Sequence, residues 1–244
     1  FDVKADYDYS KTTCDNYATL EKEYVGDYAE IRASRDYSYH SNYCKERQRW
    51  QDFAVKCCLG KTEAHARPWI IYTCGPMGVG KGHVLSWLSK RGLFPVEYIA
   101  HIDPDFFKRI MPEWSKYVSV NREFAGTACH KESGYLQEIA QEVAMRERQH
   151  IWVDGSLSDG DWFQNIFEDI RKRFPHYRIA IFYISASEPT IRARIAKRTA
   201  ETGRAIPESQ VLRSLRSPED SLKKLAPLTD IVARIWNENA IQLK

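Results

Sequence analysis

The chain has 244 residues, with 36 basic against 33 acidic side chains for a formal net charge of +3, 43% hydrophobic and 28% charged residues, and a mean hydropathy of −0.55. That is the composition of a folded domain long enough to bury its own core; a charge so close to balance gives no whole-chain case for nucleic acid. The longest apolar runs, 69–74 and 179–184, are strand-sized and fall short of the roughly 18 residues a membrane span needs. Six cysteines (Cys14, Cys44, Cys57, Cys58, Cys74, Cys129) form no Cys-x-x-Cys pair and no Cys/His set at zinc spacing, so reduced thiols in the cytoplasm are expected. No signal pattern opens the chain; it begins at Phe1 rather than Met, reads as trimmed, and a targeting segment could precede it.

Residues 1–67 read as a Tyr-rich helical extension. Eight of the 14 tyrosines lie before residue 60, and Tyr39, Tyr43, Trp50, Phe53 and Val55 recur at helical spacings across 36–59, before breaks at Gly60 and Pro68. The extension either covers core of the main domain or presents a surface to a partner; it carries no recognisable chemistry. From 68 to 244, short apolar runs alternate with amphipathic stretches, the pattern of an α/β domain with a mainly parallel sheet flanked by helices. Strands are expected at 69–74, 96–102, 150–153, 178–185 and 231–236, and helices at 82–90, 134–148, 162–174, 189–202, 208–215 and 218–225.

Between the first strand and the first helix lies Gly75-Pro76-Met77-Gly78-Val79-Gly80-Lys81-Gly82, a G-x-x-x-x-G-K spacing followed by His83. This is the context of a P-loop: glycines let backbone N–H groups turn inward around a β-phosphate, the helix start adds partial positive charge, and Lys81 reaches the β- and γ-oxygens. Residues 75–83 are therefore the candidate ATP-binding residues. The Ser or Thr that follows the lysine in such loops, and whose hydroxyl ligates Mg²⁺, is replaced by Gly82.

In sheets of this kind ligands collect at the carboxyl ends of the strands. The second strand runs into Asp103-Pro104-Asp105 and the third into Asp154-Gly155-Ser156, which makes Asp103 and Asp154 candidate Mg²⁺ ligands and Asp105 a candidate base for an acceptor hydroxyl. Pro104 suits a first helical position, so Asp103 also reads as a helix cap. Ser133 and Glu138 read by spacing as an exposed helix face, and His101 and His130 as satisfied, partly buried histidines. Between 171 and 216 stand eleven basic residues against three acidic ones; Arg194 and Arg198 lie one helical turn apart, with Arg204 following in a Gly-containing turn, a spacing suited to phosphate oxygens.

Taken in order from about 69 to 206, these motifs resemble the zeta toxin family of P-loop kinases, whose bacterial members phosphorylate a UDP-N-acetylamino sugar with ATP and whose plant-pathogen relatives are NAD kinases. The resemblance implies that Asp105, second acid of Ile102-Asp103-Pro104-Asp105, is the catalytic base. It further implies that Lys81, Arg198 and Arg204 (in Arg204-Ala205-Ile206-Pro207) hold the phosphates, and that Asp103, Ser133, Glu138, Asp154 and Ser156 contact substrate. Pro112 and the sixteen-residue spacing from Glu138 to Asp154 also match. The chain departs from the family at Gly82, and at Asp154, where the family has Glu. Bacterial members are neutralised by an antitoxin, for which this sequence carries no signal. Two other readings stay open: a nucleotide-binding module without catalysis, motivated by Gly82, and a polynucleotide kinase or RNA binder using the basic stretch, against which stands the lack of a base-stacking aromatic module.

Overall fold

The structure is a computed structural model that describes residues 1–59, 63–94, 96–202 and 207–243. In chain order its elements are α1 (Thr13–Tyr17), α2 (Ala29–Ala33), α3 (Lys45–Leu59), β1 (Trp69–Cys74), α4 (Lys81–Lys90), β2 (Ala100–Ile102), α5 (Pro104–Ile110), α6 (Trp114–Val120), α7 (Arg122–Ala128), α8 (His130–Arg146), β3 (Ile151–Val153), α9 (Gly160–Arg173), β4 (Arg178–Ser185), α10 (Glu188–Thr202), α11 (Glu208–Leu225), β5 (Ile231–Asn237) and β6 (Ile241–Leu243). They divide into two compact units, Phe1–Lys61 with Ile102–Glu147, and Thr62–His101 with Arg148–Lys244. No described helix is long and apolar enough to cross a membrane, and all six cysteines are free thiols.

The sheet unit carries six strands in the order β2-β3-β1-β4-β5-β6. β1 pairs in parallel with β3 on one side and β4 on the other, β4 pairs in parallel with β5, and β6 adds an antiparallel edge. Parallel strands covered on both faces lose the alternating pattern: five of the six residues of β1 are buried. On one face Ile71, Ala180, Ile184 and Ile235 pack with Val84, Leu85 and Leu88 of α4, so the helix that follows the glycine loop is anchored by its apolar stripe. Three expectations are corrected. Residues 96–102 divide into a 3-10 turn at Val96–Tyr98 and a three-residue strand. The antiparallel β6 was not foreseen. The helices at 208–215 and 218–225 are one helix, α11, with Pro218 inside it. A proline removes one i→i−4 bond, but α11 packs along α9 and buries Val211, Pro218, Leu222 and Leu225, and the helix continues through the proline.

The helical unit joins the amino-terminal arm to α5–α8. Its helix begins at Lys45 rather than residue 36, with residues 36–43 forming turns and a single bridge between Ala18 and Tyr43; α1, α2 and α5–α7 are helices that periodicity did not show. The arm's tyrosines turn inward: Tyr17 and Tyr43 are buried, the Tyr7 and Tyr117 hydroxyls share a 2.7 Å hydrogen bond, and those of Tyr37 and Tyr135 a 2.8 Å bond. At the centre the fully buried Arg47 guanidinium donates to Glu132 at 2.7 and 3.0 Å and to Glu113 at 3.0 and 3.3 Å. Tyr17 Oη donates to Glu113 at 2.5 Å and Gln51 Nε2 to Glu132 at 2.8 Å. Burial works against the charge on Arg47, but the two glutamates outweigh it and raise its pKa. The same arrangement of burial and a neighbouring Glu113 charge pushes the Tyr17 phenol upward.

Candidate functional site

The glycine loop begins where β1 meets its neighbours. Gly75 has φ of 146°, and a β-carbon there would stand 2.3 Å from the Ile184 carbonyl oxygen, backbone of the adjacent strand; Gly80 has φ of 87°, and a β-carbon would meet Asn237 Nδ2 at 2.7 Å. Both positions thus need glycine for conformation and for space. Gly80 is also the N-cap of α4, where no side chain caps the helix and no acid occupies the first turn. An uncapped helix start without competing carboxylates is a ready anion site. Lys81 curls back over the loop, donating from Nζ to the carbonyls of Gly75 (3.0 Å) and Pro76 (3.2 Å). His83 is exposed on the first turn of α4.

Neighbouring elements hold the loop from outside. The Gly75 N–H donates to the Ser156 carbonyl at 3.3 Å and the Met77 N–H to Ser214 Oγ at 3.1 Å. The Val79 carbonyl accepts from Asn237 Nδ2 at 2.8 Å and from Arg194 Nη1 at 3.1 Å. Arg194 is therefore spent on backbone carbonyls, including those of Asn237 (3.0 Å) and Glu238 (3.1 Å), which corrects its reading as a phosphate ligand. Arg198, one turn on, is exposed; Arg204 lies outside the described residues. Much of the basic stretch is also neutralised locally: Arg171 pairs with Asp230, Arg173 with Asp169, and Arg192 with Glu188 and Glu208.

Beside the loop, the buried Thr73 hydroxyl orients Asp154, donating to its Oδ1 at 2.9 Å and accepting from the Gly155 N–H at 3.0 Å. Ser156 shares a 3.0 Å hydroxyl contact with Ser158, and the intervening Leu157 is buried with φ of 54°, backbone strain of the kind concentrated at functional loops. His101 stacks flat on Trp152 at 3.7 Å and brings a ring nitrogen within 4.8 Å of an Asp154 oxygen. Replacing Thr73 by Val leaves the Gly155 N–H without its acceptor and should cost about 2 kcal/mol. Thr73→Ser keeps the hydroxyl and loses only a methyl, about 1 kcal/mol. Urea unfolding should rank the two in that order, with faster amide exchange at Gly155 in Thr73→Val alone; equal exchange in both variants would refute the role of the hydroxyl.

In the helical unit Asp103 is the cap expected of it, accepting from the Asp105 N–H at 2.8 Å with Pro104 at the first position of α5, while its other oxygen takes Arg109 at 3.0 Å. Asp105 keeps its carboxylate 66% exposed and pairs with Lys108 at 3.0 Å. His130, the first residue of α8, is exposed rather than partly buried as expected; desolvation first and Lys108 second lower its pKa. The expected exposed face of α8 is corrected: Ser133 is fully buried and donates to the His130 carbonyl, and Glu138 is partly buried, meeting His40 Nε2 at 3.0 Å and Arg35 at 3.8 Å. Sequence reasoning missed Thr73, Asn237 and Ser214. Thr73 had a signal, a hydroxyl inside an apolar strand just before the loop; the other two had none, because only strand order and helix docking bring them to it.

The fold recurs in solved structures. One from the PezAT toxin–antitoxin system of Streptococcus pneumoniae shares 14% identity, covering 82% of this chain and 81% of its own, at a TM-score of 0.66. The AvrRxo1-ORF1:ORF2 complex with ATP shares 16% identity over 96% of this chain and 75% of its own, at 0.62. A kinase-like protein from Chloroflexus aurantiacus shares 17%, covering 71% of this chain and 87% of its own, at 0.53. At these identities the likeness is one of fold. A search of curated protein sequences found no match. The zeta toxin family model matches residues 55–241, about three-quarters of the chain and all of the loop, and the chain belongs to the zeta toxin family.

Proposed function

We propose that this protein is an ATP-dependent phosphotransferase acting on a hydroxyl group of a small metabolite, a UDP-N-acetylamino sugar or a dinucleotide such as NAD being the substrate classes its family relationship brings forward. The observation that carries the reading is the glycine loop: a strand-to-helix turn with an uncapped helix start and Lys81 folded over it. In phosphoryl transfer the protein mostly positions groups and neutralises charge. Lys81 leaves its two carbonyls for the β- and γ-oxygens, Arg198 adds charge from α10, Arg204 supplies a further cation, and Asp105 takes the proton of the attacking hydroxyl. Asp103, Ser133, Glu138, Asp154 and Ser156 remain the proposed acceptor contacts, of which the buried Ser133 acts by shaping α8.

Mg²⁺ fits this donor chemistry. Asp154 offers a hard oxygen oriented by Thr73, and Gly82 leaves open space where a hydroxyl would stand, so Asp154 and phosphate oxygens would hold the ion. When bound, it neutralises charge on the transferring phosphoryl group. Asp103, the other proposed ligand, has both oxygens engaged within α5.

With labelled ATP and a metabolite extract, the wild type should transfer phosphate, and Lys81→Ala and Asp105→Asn should each lower the rate by about 100-fold or more without changing the thermal unfolding midpoint. A wild type that labels nothing would sink the reading. Tight ATP binding without turnover would favour the second reading, a nucleotide-binding module, which rests on Gly82. The nucleic-acid reading loses ground to the local pairing of Arg171, Arg173 and Arg192. An antitoxin-like protein partner belongs to the same proposal, supported by the toxin–antitoxin origin of the PezAT structure.

A further inference from the structure

A phosphate-binding loop works only if its peptide N–H groups already face the ligand, because an ordered anion must otherwise meet the entropy of arranging them. Here one peptide is fixed in that sense by side chains outside the loop. The Val79 carbonyl, between two glycines that would let the unit rotate, is held by Asn237 Nδ2 at 2.8 Å and Arg194 Nη1 at 3.1 Å. With that carbonyl held away, the Gly80 N–H of the same peptide plane points to the other side, as planarity requires. Asn237 is buried at the carboxyl end of β5, and Gly80 has no β-carbon because one would stand 2.7 Å from the Asn237 amide. The loop and this asparagine are fitted to each other.

The same residues tie the loop to the helix carrying Arg198. Arg194 sits on α10 and donates also to the carbonyls of Asn237 and Glu238. The Glu238 carboxylate accepts from the Ser187 N–H and from the Thr190 hydroxyl, both at 2.5 Å, at the start of α10, and these bonds hold its pKa below the usual carboxylate range. Both ends of this linkage are thus set by Asn237, the last residue of β5, and Glu238, the residue after it.

We propose that Asn237 and Arg194 are positioning residues for nucleotide binding: they clamp the Val79 carbonyl outward, preorganising the loop, and register α10 so that Arg198 approaches the phosphates when the loop is filled. Neither touches the nucleotide. The proposal rests on the ATP-binding reading above, and two readouts separate their failures. ATP affinity is measured by calorimetry, and amide exchange of residues 78–82 is followed in the nucleotide-free protein. In Asn237→Ala and Arg194→Met, ATP should bind at least tenfold more weakly and the loop amides should exchange at least tenfold faster, with exchange in β1 and β4 unchanged. Arg194→Met preserves the aliphatic stem at a partly exposed position, so it reports even if Asn237→Ala folds poorly. A wild type that binds no ATP overturns the nucleotide reading. Loop exchange unchanged in both variants, or ATP affinity within twofold of a binding wild type, overturns the clamp.

Discussion

Replacing Arg47 by methionine is expected to destabilise the helical unit by about 4 kcal/mol, because it removes the cation that two fully buried glutamates share and strands their charge. The loss extends further than one pair. Among the described residues, Glu113 and Glu132 would keep the Tyr17 and Gln51 donors, and the guanidinium that lies 4.3 Å from the Tyr17 ring and 4.1 Å from that of Trp50 would be gone. A compensated triple variant, Arg47→Met with Glu113→Gln and Glu132→Gln, should regain much of the loss, since a buried ionic cluster often adds little over a neutral one of the same volume. Urea titrations followed by far-ultraviolet circular dichroism would show it. A single variant with a midpoint like the wild type's would mean that the charges are not confined as described.

The second large effect concerns the loop. Gly75→Ala should cost at least about 3 kcal/mol and remove ATP binding, since the new β-carbon would stand 2.3 Å from the Ile184 carbonyl in a backbone conformation that L residues rarely adopt. The strand cannot yield, because Ile184 is paired with Ile235 in β5. Gly82→Ser should do the reverse. No atom lies within 4 Å of its notional β-carbon, the residue is in the first turn of α4, and exchanging helical glycine for serine should add roughly 0.5 kcal/mol. The new hydroxyl would stand where such loops ordinarily ligate Mg²⁺, so calorimetric ATP affinity should gain magnesium dependence. Thermal unfolding separates the pair: a Gly75→Ala variant as stable as wild type, or a Gly82→Ser variant much less stable, would contradict the loop geometry.

What was legible in the sequence was what short-range chemistry dictates. The apolar run 69–74, the glycines after it and the amphipathic stretch beyond specify strand, loop and helix by local pattern alone, and Asp103 with Pro104 announced a helix start that Asp103 indeed caps. The acidic residues at the strand ends followed from the α/β alternation. Local pattern failed where a local signal was overruled. Pro218 read as the start of a second helix, yet packing on α9 carries one helix through it, and Arg194 read as a phosphate ligand, yet carbonyls claim it.

The remainder belonged to tertiary structure. Arg47 finds its glutamates 66 and 85 residues away, and Asn237 finds Val79 at a distance of 158. No periodicity encodes such pairs, because they arise only when strand order and helix docking bring remote segments together. The sequence by itself determined a phosphate-binding loop on a parallel sheet in a nearly charge-neutral chain of 244 residues. The tertiary structure decided which side chains hold that loop in shape, and turned a tyrosine-rich arm into part of a helical core, since a buried charge must be met by a partner wherever in the chain that partner lies.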